Sequence, residues 1–307
     1  MELMTHIDIP ESEWKIAGNA KILLVGSCFA DEVGMRMMRG GLDVTVNPFG
    51  TLYNPASIAA SLLRSISESE YGPDAAELLR NEHDGLWHSW MHHSTFSSAD
   101  KMELLGRMNS VMHQVADRLR EADVLIVTLG TAIIYRLRES GRLVANCHKM
   151  PDTMFARECM SAYDIVDQWK MLLQILESVN PRLKVIFTVS PIRHRRDGYH
   201  ANQVSKGVLL SAVEGLAPTM SLAGRASGGR AGEGGGQCSY FPSYEIMMDE
   251  LRDYRFYADD MIHPSEKAVE YIWQRFQDTY FDNKTKDAVA KATKEWARHQ
   301  HRQISKR

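Results

Sequence analysis

The chain has 307 residues, 44% of them hydrophobic and 24% charged, which is the composition of a folded globular protein and excludes a disordered chain, a collagen-like repeat and a coiled coil. Its 36 Lys and Arg residues nearly balance its 39 Asp and Glu residues. The resulting net charge of −3 excludes a global electrostatic attraction to nucleic acid or to an anionic membrane, so we expect neither as a partner.

Short apolar runs alternate with helical patterns along the chain, as in proteins built from β-α units. The pattern predicts five main strands, over residues 21–25, 42–46, 123–129, 183–189 and 240–242. It also predicts helices over residues 30–39, 100–120, 163–179 and 201–216, further helices that begin at Asn54, near Tyr244 and near His263, and a hairpin over residues 133–147. This alternation predicts an α/β protein of three α/β/α layers, with a flavodoxin-like doubly wound parallel sheet that binds ligands at the carboxyl ends of its strands.

Three segments do not follow this alternation. Residues 81–98 have no clean period and are predicted to form a loop rich in Trp and His. The Gly-rich stretch 223–237 is predicted to be a surface loop, since no strand precedes it and no G-K-[ST] sequence closes it. We assign residues 1–283 to a single domain and the basic residues 284–307 to a helical or disordered tail.

The cysteines are scattered through the chain, at Cys28, Cys147, Cys159 and Cys238. No pair has the C-x-x-C spacing of a zinc or redox site, and such scattered cysteines do not form a disulfide scaffold. Reduced thiols are typical of the cytoplasm. Residues 1–14 lack the layout of a signal peptide, and no apolar run approaches the length of a membrane span, so we expect a cytoplasmic protein.

The first candidate for chemistry is the turn Gly26-Ser27-Cys28, which follows the first predicted strand. A serine there lies at a helix N-terminus, where free backbone N–H groups can bind an oxyanion. The alternative is that Ser27 only caps the helix. Cys28 is a competing nucleophile, since a thiol is intrinsically more nucleophilic. We favour Ser27, because the residue after the nucleophile turns its side chain toward the helix and the sheet.

The second candidate is Asp260, which precedes His263 by three residues just ahead of a predicted helix. A histidine can activate a serine hydroxyl as a base, and a neighbouring carboxylate can orient that histidine. The D-x-x-H pattern alone is often incidental. Together with a serine after the first strand, it has the chain order of a known family.

Eight ordered blocks carry this resemblance: GSCFA at 26–30, NPFGTLYNP at 47–55, TLGTA at 128–132, NCHK at 146–149, SPIRH at 190–194, PSYE at 242–245, YRFY at 254–257 and DMIHPS at 260–265. Over about residues 5–280 the chain resembles the GSCFA family, a branch of the SGNH (GDSL-like) hydrolase superfamily. The resemblance implies an SGNH-hydrolase-like fold and a mechanism that needs neither a metal ion nor a cofactor.

The resemblance also implies roles for individual residues. Ser27 resembles the nucleophile of a catalytic triad, His263 the general base, and Asp260 the residue that orients the base. Gly50 resembles the glycine whose backbone N–H forms the oxyanion hole beside the N–H of Ser27. Asn47 is a further candidate for this hole.

The chain departs from the superfamily in its third block, Gly-x-Asn, where Gly130-Thr131-Ala132 places Ala at the position of the Asn. Loss of one oxyanion donor costs roughly 3–4 kcal/mol of transition-state stabilisation. Another donor must therefore replace it if the protein is an efficient enzyme. The candidates are Asn47, Thr131, His92 and His148.

Five residues are predicted to contact the substrate: Trp90, His92, His148, Arg193 and His194. Trp90 and His92 belong to the Trp- and His-rich segment, which we interpret as a lid over the site. The alternatives are a packed loop of hydrogen-bonded histidines and a metal site that uses His88 and His92. Arg193 and His194 follow the fourth predicted strand and can bind an anionic group, the alternative being a solvated charge run.

The leading hypothesis is an SGNH-type serine esterase or deacylase. It would cleave an acyl ester, such as an O-acetyl group, from a small molecule or a glycan. One alternative is an O-acyltransferase that passes the same acyl group from the enzyme to an acceptor hydroxyl. A second alternative is a non-catalytic SGNH-like domain that only binds a ligand. The sequence makes no prediction about oligomeric state.

Overall fold

The computed structural model describes residues 4–217 and 238–304. These residues form ten strands: β1 (Lys21–Gly26), β2 (Asp43–Val46), β3 (Leu78–Asn81), β4 (Leu86–Ser89), β5 (Val124–Leu129), β6 (Ile133–Leu137), β7 (Leu143–Val144), β8 (Phe155–Cys159), β9 (Lys184–Val189) and β10 (Cys238–Phe241). Five of them make the central sheet, in the order β10-β9-β5-β1-β2, and every neighbouring pair is parallel. Numbered within this sheet, the order is 2-1-3-4-5, which is flavodoxin-like and confirms the predicted fold.

Long helices cover both faces of the central sheet. They are α1 (Cys28–Arg39), α2 (Pro55–Ile66), α3 (Lys101–Glu121), α4 (Ala162–Val179), α5 (Tyr199–Leu216), α6 (Glu266–Tyr280) and α7 (Asn283–Ile304). Successive side chains of a strand point to opposite faces. Leu23 and Val25 of β1 therefore pack in one core with α2, α3, α4 and α5, whereas Ile22 and Leu24 pack in a second core with α1 and α6.

The helices near the carboxyl edge of the sheet begin where the sequence places capping residues. The side chains of Ser27, Asn54 and Ser265 each accept a backbone N–H from the first turn of α1, α2 and α6. Pro55 occupies the start of α2, where its missing N–H leaves no bond unmade. The predicted helix start at Asn54 is therefore confirmed.

The prediction of a loop over residues 81–98 is partly wrong, because β3 and β4 pair as an antiparallel hairpin around residues 82–85. Each of these strands has only four residues, which is too short for a readable alternation of apolar and polar side chains. The predicted hairpin over residues 133–147 is confirmed by β6 and β7. Strand β8, which pairs with the other edge of β6, is not predicted from the sequence.

Two further predictions concern the C-terminal part of the chain. The helix expected from about Tyr244 is short, because residues 243–245 form one helical turn and residues 246–250 continue it as a π-helical turn. The tail takes the helical alternative as α7, whose Val289 is buried against Gly40 at the end of α1. The single-domain assignment stays a prediction, and the Gly-rich stretch 223–237 lies outside the described residues.

Candidate active site

Ser27 lies at the end of β1, on a turn that only glycine can precede. Gly26 has a φ of 139°, and a side chain there would collide with the backbone carbonyl of Thr128 in β5. Ser27 itself is buried, and its Oγ accepts the N–H of Phe29 at 3.3 Å as the cap of α1. The capping role considered from the sequence is therefore present. It leaves the hydroxyl beside the carboxyl edge of the sheet, where the site is expected.

Asp260 and His263 form a close pair on the loop before α6. The Nδ1 atom of His263 lies 2.6 Å from Oδ2 of Asp260, while Oδ1 accepts the backbone N–H groups of Ile262 and His263 at 2.9 and 3.0 Å. The hydrogen bonds from the backbone and side chain of His263 lower the pKa of Asp260 to about 2. Asp260 is thus a carboxylate that fixes the orientation of the imidazole, with Nε2 left for a substrate or nucleophile.

The free nitrogen of His263 faces the Ser27–Cys28 turn. Its Nε2 pairs with Sγ of Cys28 at 3.7 Å, so the expectation that the Cys28 side chain turns away from the site is wrong. In the described part of the chain Nε2 makes no hydrogen bond with Oγ of Ser27. Burial, and to a smaller extent the charge of Asp31, raise the pKa of Cys28 to about 11. Cys28 is therefore a neutral thiol at physiological pH, which argues against the thiolate that a cysteine nucleophile requires.

The backbone donors predicted for the oxyanion hole make hydrogen bonds inside the protein. The N–H of Ser27 donates to the carbonyl of Thr128 at 3.0 Å, and the N–H of Gly50 donates to the carbonyl of Asn47 at 2.8 Å. The Asn47 side chain is also engaged, since its Nδ2 donates to Asp31 at 2.7 Å and its Oδ1 accepts from Gly26 at 2.8 Å. Each of these groups would have to share or exchange its partner to bind an oxyanion.

Ala132, which stands where the superfamily has an asparagine, forms a buried contact between the turn after β5 and helix α5. Ala132 is fully buried, and its N–H donates to Oγ of Ser205 at 2.7 Å. Oγ of Thr131 lies 2.9 Å from the same hydroxyl and accepts the N–H of Ile133. Thr131 therefore stabilises the turn after β5 in this structure.

Trp90, His92 and His148 pack around the β3–β4 hairpin. His92 pairs with Oγ of Ser89 at 2.8 Å, and Nε2 of His148 contacts the carbonyl of Ser89 at 2.7 Å. Trp90 is buried with Val144 and Phe155. These contacts are those of the packed-loop alternative, and none of them, in the part of the chain that the structure describes, joins the three side chains to Ser27 or His263.

The electrostatics of these histidines agree with a packed interior. Burial lowers the pKa of His92 to about 3 and the pKa of His148 to about 4, so both are neutral. Within residues 4–217 and 238–304 there is no group of three His, Cys, Asp or Glu side chains arranged to hold a metal ion.

The structure does bring Arg193 and His194 to the site. The backbone N–H of Arg193 donates to the carbonyl of Ile262 at 3.3 Å, and its guanidinium lies 4.0 Å from the ring centre of Tyr257. Arg193 therefore holds the loop that carries Asp260. The ring of His194 packs edge-on against Tyr53, at 5.5 Å between ring centres, and reaches the space in front of Gly130.

Lys206 is a structural part of the site that is not among the residues predicted from the sequence. It is buried in α5, and its Nζ donates to the carbonyls of Gly130 at 2.7 Å and Ser190 at 2.6 Å, after β5 and β9. Burial lowers its pKa to about 7. The signal in the sequence is the polar group Asn202, Ser205 and Lys206, on a helix face that also buries Leu209.

A family model described as the GSCFA family matches residues 21–276. A search of the curated proteins finds no match. Among the described residues, no helix combines the length and the hydropathy needed to cross a membrane.

Two solved structures resemble the chain at low sequence identity. A “putative platelet activating factor from Streptococcus pneumonia” is 10% identical, with a TM-score of 0.39 and 84% of each chain covered. An acetyl xylan esterase, Est2A, from the rumen bacterium Butyrivibrio proteoclasticus is 12% identical, with a TM-score of 0.36, and the match covers 89% of this chain and 64% of that one. The fold assignment accordingly depends on the strand order of the sheet.

Proposed function

The chain belongs to the GSCFA family, and on that premise we propose that it is a serine hydrolase that cleaves an acyl ester of a small molecule or a glycan. The observation that supports this proposal most directly is the Asp260–His263 pair, whose second imidazole nitrogen lies 3.7 Å from Sγ of Cys28, on the turn that also carries Ser27. A carboxylate-oriented histidine beside a serine at a helix N-terminus is the arrangement that activates a hydroxyl for acyl transfer.

In the proposed first half-reaction, Oγ of Ser27 attacks the ester carbonyl and Nε2 of His263 takes its proton. Asp260 stabilises the resulting imidazolium, and the negative charge of the tetrahedral intermediate is bound by the N–H groups of Ser27 and Gly50. The C–O bond to the alcohol then breaks as His263 returns the proton to the leaving oxygen. For this step the Ser27 hydroxyl must turn from the N–H of Phe29 toward His263.

In the second half-reaction, water replaces the alcohol. His263 takes a proton from the water as its oxygen attacks the acyl-enzyme, and it returns that proton to Oγ of Ser27 as the acyl–oxygen bond breaks. The products are the carboxylic acid and free enzyme. An acceptor hydroxyl in the position of the water would make the same protein an O-acyltransferase.

A non-catalytic ligand-binding domain is the second candidate, and one specific observation favours it. Ser27 is buried as a helix cap, and the predicted backbone donors of the oxyanion hole already have partners within the protein. A binding domain would keep these bonds when a ligand arrives. A hydrolase would have to exchange these bonds for hydrogen bonds to the substrate and to His263.

Labelling with a fluorophosphonate probe tests the proposal, with the adduct located by mass spectrometry. We expect an adduct on Ser27 in the wild-type protein and in Cys28→Ala, and no adduct in Ser27→Ala or His263→Ala. An unlabelled Ser27 in folded protein would refute the serine hydrolase and leave the binding domain, and an adduct on Cys28 would refute the assignment of the nucleophile. Product analysis with and without an added alcohol then separates hydrolysis from acyl transfer.

A further inference from the structure

A second histidine, His194, lies near the Ser27 side chain, across Gly130. A Cβ atom built on Gly130 would lie 3.2 Å from Nε2 of His194 and 3.4 Å from Cβ of Ser27. Both atoms therefore border the same small space, which is open only because residue 130 is glycine. The ring of His194 reaches it from the loop after β9, with Tyr53 packed against its side.

The position of this ring is fixed from its backbone. The N–H of His194 donates to Oδ1 of Asn202 in α5 at 2.9 Å. Gly130 is held from the same helix, through the bond from Nζ of Lys206 to its carbonyl. Helix α5 thus holds both His194 and Gly130. The distance between the His194 ring and Gly130 is therefore set before a substrate binds.

His194 is suited to donate a hydrogen bond and poorly suited to accept a proton. Burial lowers its pKa to about 4, and the charges of Lys206 and His263 lower it in the same direction. No carboxylate contacts its ring in the described part of the chain, in contrast to the ring of His263, which pairs with Asp260. The two histidines therefore differ in role, with His263 as a base and His194 as a neutral imidazole.

The other candidates for the missing third donor already have partners. Asn47 is bound to Asp31 and Gly26, and Thr131 to Ser205. His92 and His148 each use one ring nitrogen to pair with Ser89, and Nδ1 of His148 is buried without a partner among the described residues. Neither ring nitrogen of His194 has a hydrogen-bond partner among the described residues. Of these side chains, only His194 combines an unused N–H with a position beside Ser27.

We propose that Nε2–H of His194 is the third donor of the oxyanion hole, in place of the asparagine that Ala132 replaces. This inference rests on the proposed esterase function. As Oγ of Ser27 forms its bond to the carbonyl carbon, the carbonyl oxygen becomes negative in the space in front of Gly130. The His194 N–H binds that oxygen there and releases no proton, so the imidazole stays neutral through the reaction.

The test compares His194→Leu, which removes the donor, with His194→Gln, whose side-chain amide extends about as far as Nε2. We expect His194→Leu to lower kcat for a p-nitrophenyl acyl ester about 100- to 1,000-fold, the loss typical of one oxyanion donor, with little change in KM. We expect kcat of His194→Gln to be at least about ten times higher than kcat of His194→Leu. His200→Leu, at an exposed histidine near the start of the same helix, is the matched control and should keep wild-type kcat.

The outcomes separate this inference from the proposed function. If Ser27→Ala abolishes hydrolysis but His194→Leu keeps kcat, the role of His194 is refuted and the esterase stands. Equal losses in the leucine and glutamine variants, with unchanged thermal unfolding, would show that His194 does not act as a donor. A wild-type protein that neither hydrolyses acyl esters nor labels at Ser27 would refute the proposed function, and the role of His194 with it.

Discussion

Asp260 shows how a single exposed residue can have a strongly perturbed acidity. Its side chain is 45% exposed, yet it accepts bonds from two backbone N–H groups and from the imidazole of His263. These bonds stabilise the charged form and lower its pKa to about 2. Since the folded-state pKa is depressed, Asp260 stays ionised at every pH above about 2. It therefore does not titrate in the pH range in which a histidine base works.

We expect Asp260→Asn to lower kcat for a p-nitrophenyl acyl ester by about 1,000- to 10,000-fold at neutral pH, with little change in KM. The amide cannot stabilise the imidazolium, and it favours the wrong tautomer of His263. Asp259→Asn is the matched control, because Asp259 is an exposed neighbour. A similar loss of kcat in both variants would show that the loss comes from a change in the loop and not from removal of the Asp260 carboxylate.

At the scale of elements, helix α5 organises the carboxyl edge of the sheet. Its buried face presents Asn202 to the loop after β9, Ser205 to the turn after β5, and Lys206 to the backbone carbonyls of both. Polar groups on an otherwise apolar face would be unfavourable without such partners. The strand ends are consequently fixed by a helix that contributes no residue to the proposed Ser–Asp–His triad.

Lys206 gives this element a testable pH dependence. Its pKa is about 7 in the folded protein, below its ordinary value of 10.5, so between these pH values the unfolded chain binds more protons. We expect the free energy of unfolding of the wild-type protein, relative to Lys206→Met, to rise between about pH 7 and pH 10. The slope of the unfolding free energy against pH should differ between the wild-type protein and Lys206→Met by at most about 1.4 kcal/mol per pH unit.

Urea unfolding of both proteins across this pH range measures the effect. Groups that titrate in both proteins cancel in the difference, so the comparison isolates Lys206. Lys170→Met, at an exposed lysine of α4, should give a curve parallel to that of the wild-type protein. Parallel curves for Lys206→Met and the wild-type protein would show that the Lys206 pKa is not depressed.

At the scale of the whole molecule, helix α7 packs on the outside of α1. Val289 is buried against Gly40, Ala292 lies near Gly41, and the Arg39 guanidinium lies 4.5 Å from the ring centre of Trp296. These contacts are at the far end of α1 from Ser27. The helix thus adds buried area to the fold without touching the candidate site.

We expect a chain that ends at residue 283 to fold and to keep the kcat of the full chain, with a Tm lower by about 3–12 °C. Burial of Val289 contributes about 1.5–3 kcal/mol, and each kcal/mol shifts Tm by about 2–4 °C in a chain of this size. Thermal unfolding and ester hydrolysis, compared with the full chain, measure both. A truncated chain that does not fold would contradict the predicted boundary after residue 283.

The sequence by itself determined the parallel sheet, because buried strands such as β1 and β5 are continuous apolar runs that end at Gly26 and Gly130. It also determined the Asp260–His263 pair, since three residues of separation place both side chains on one tight loop. These features depend on neighbours in sequence, and local patterns report them well.

Only the tertiary structure decided which polar side chains meet at the site. It set His194 beside Ser27 and placed His92 and His148 around the β3–β4 hairpin, although all three are histidines in polar loops. It also paired the N–H of Ser27 with the carbonyl of Thr128. The physical reason is that His194 and Ser27, like Ser27 and Thr128, are far apart in the chain, and the packing of α5 and the order of the strands bring them together.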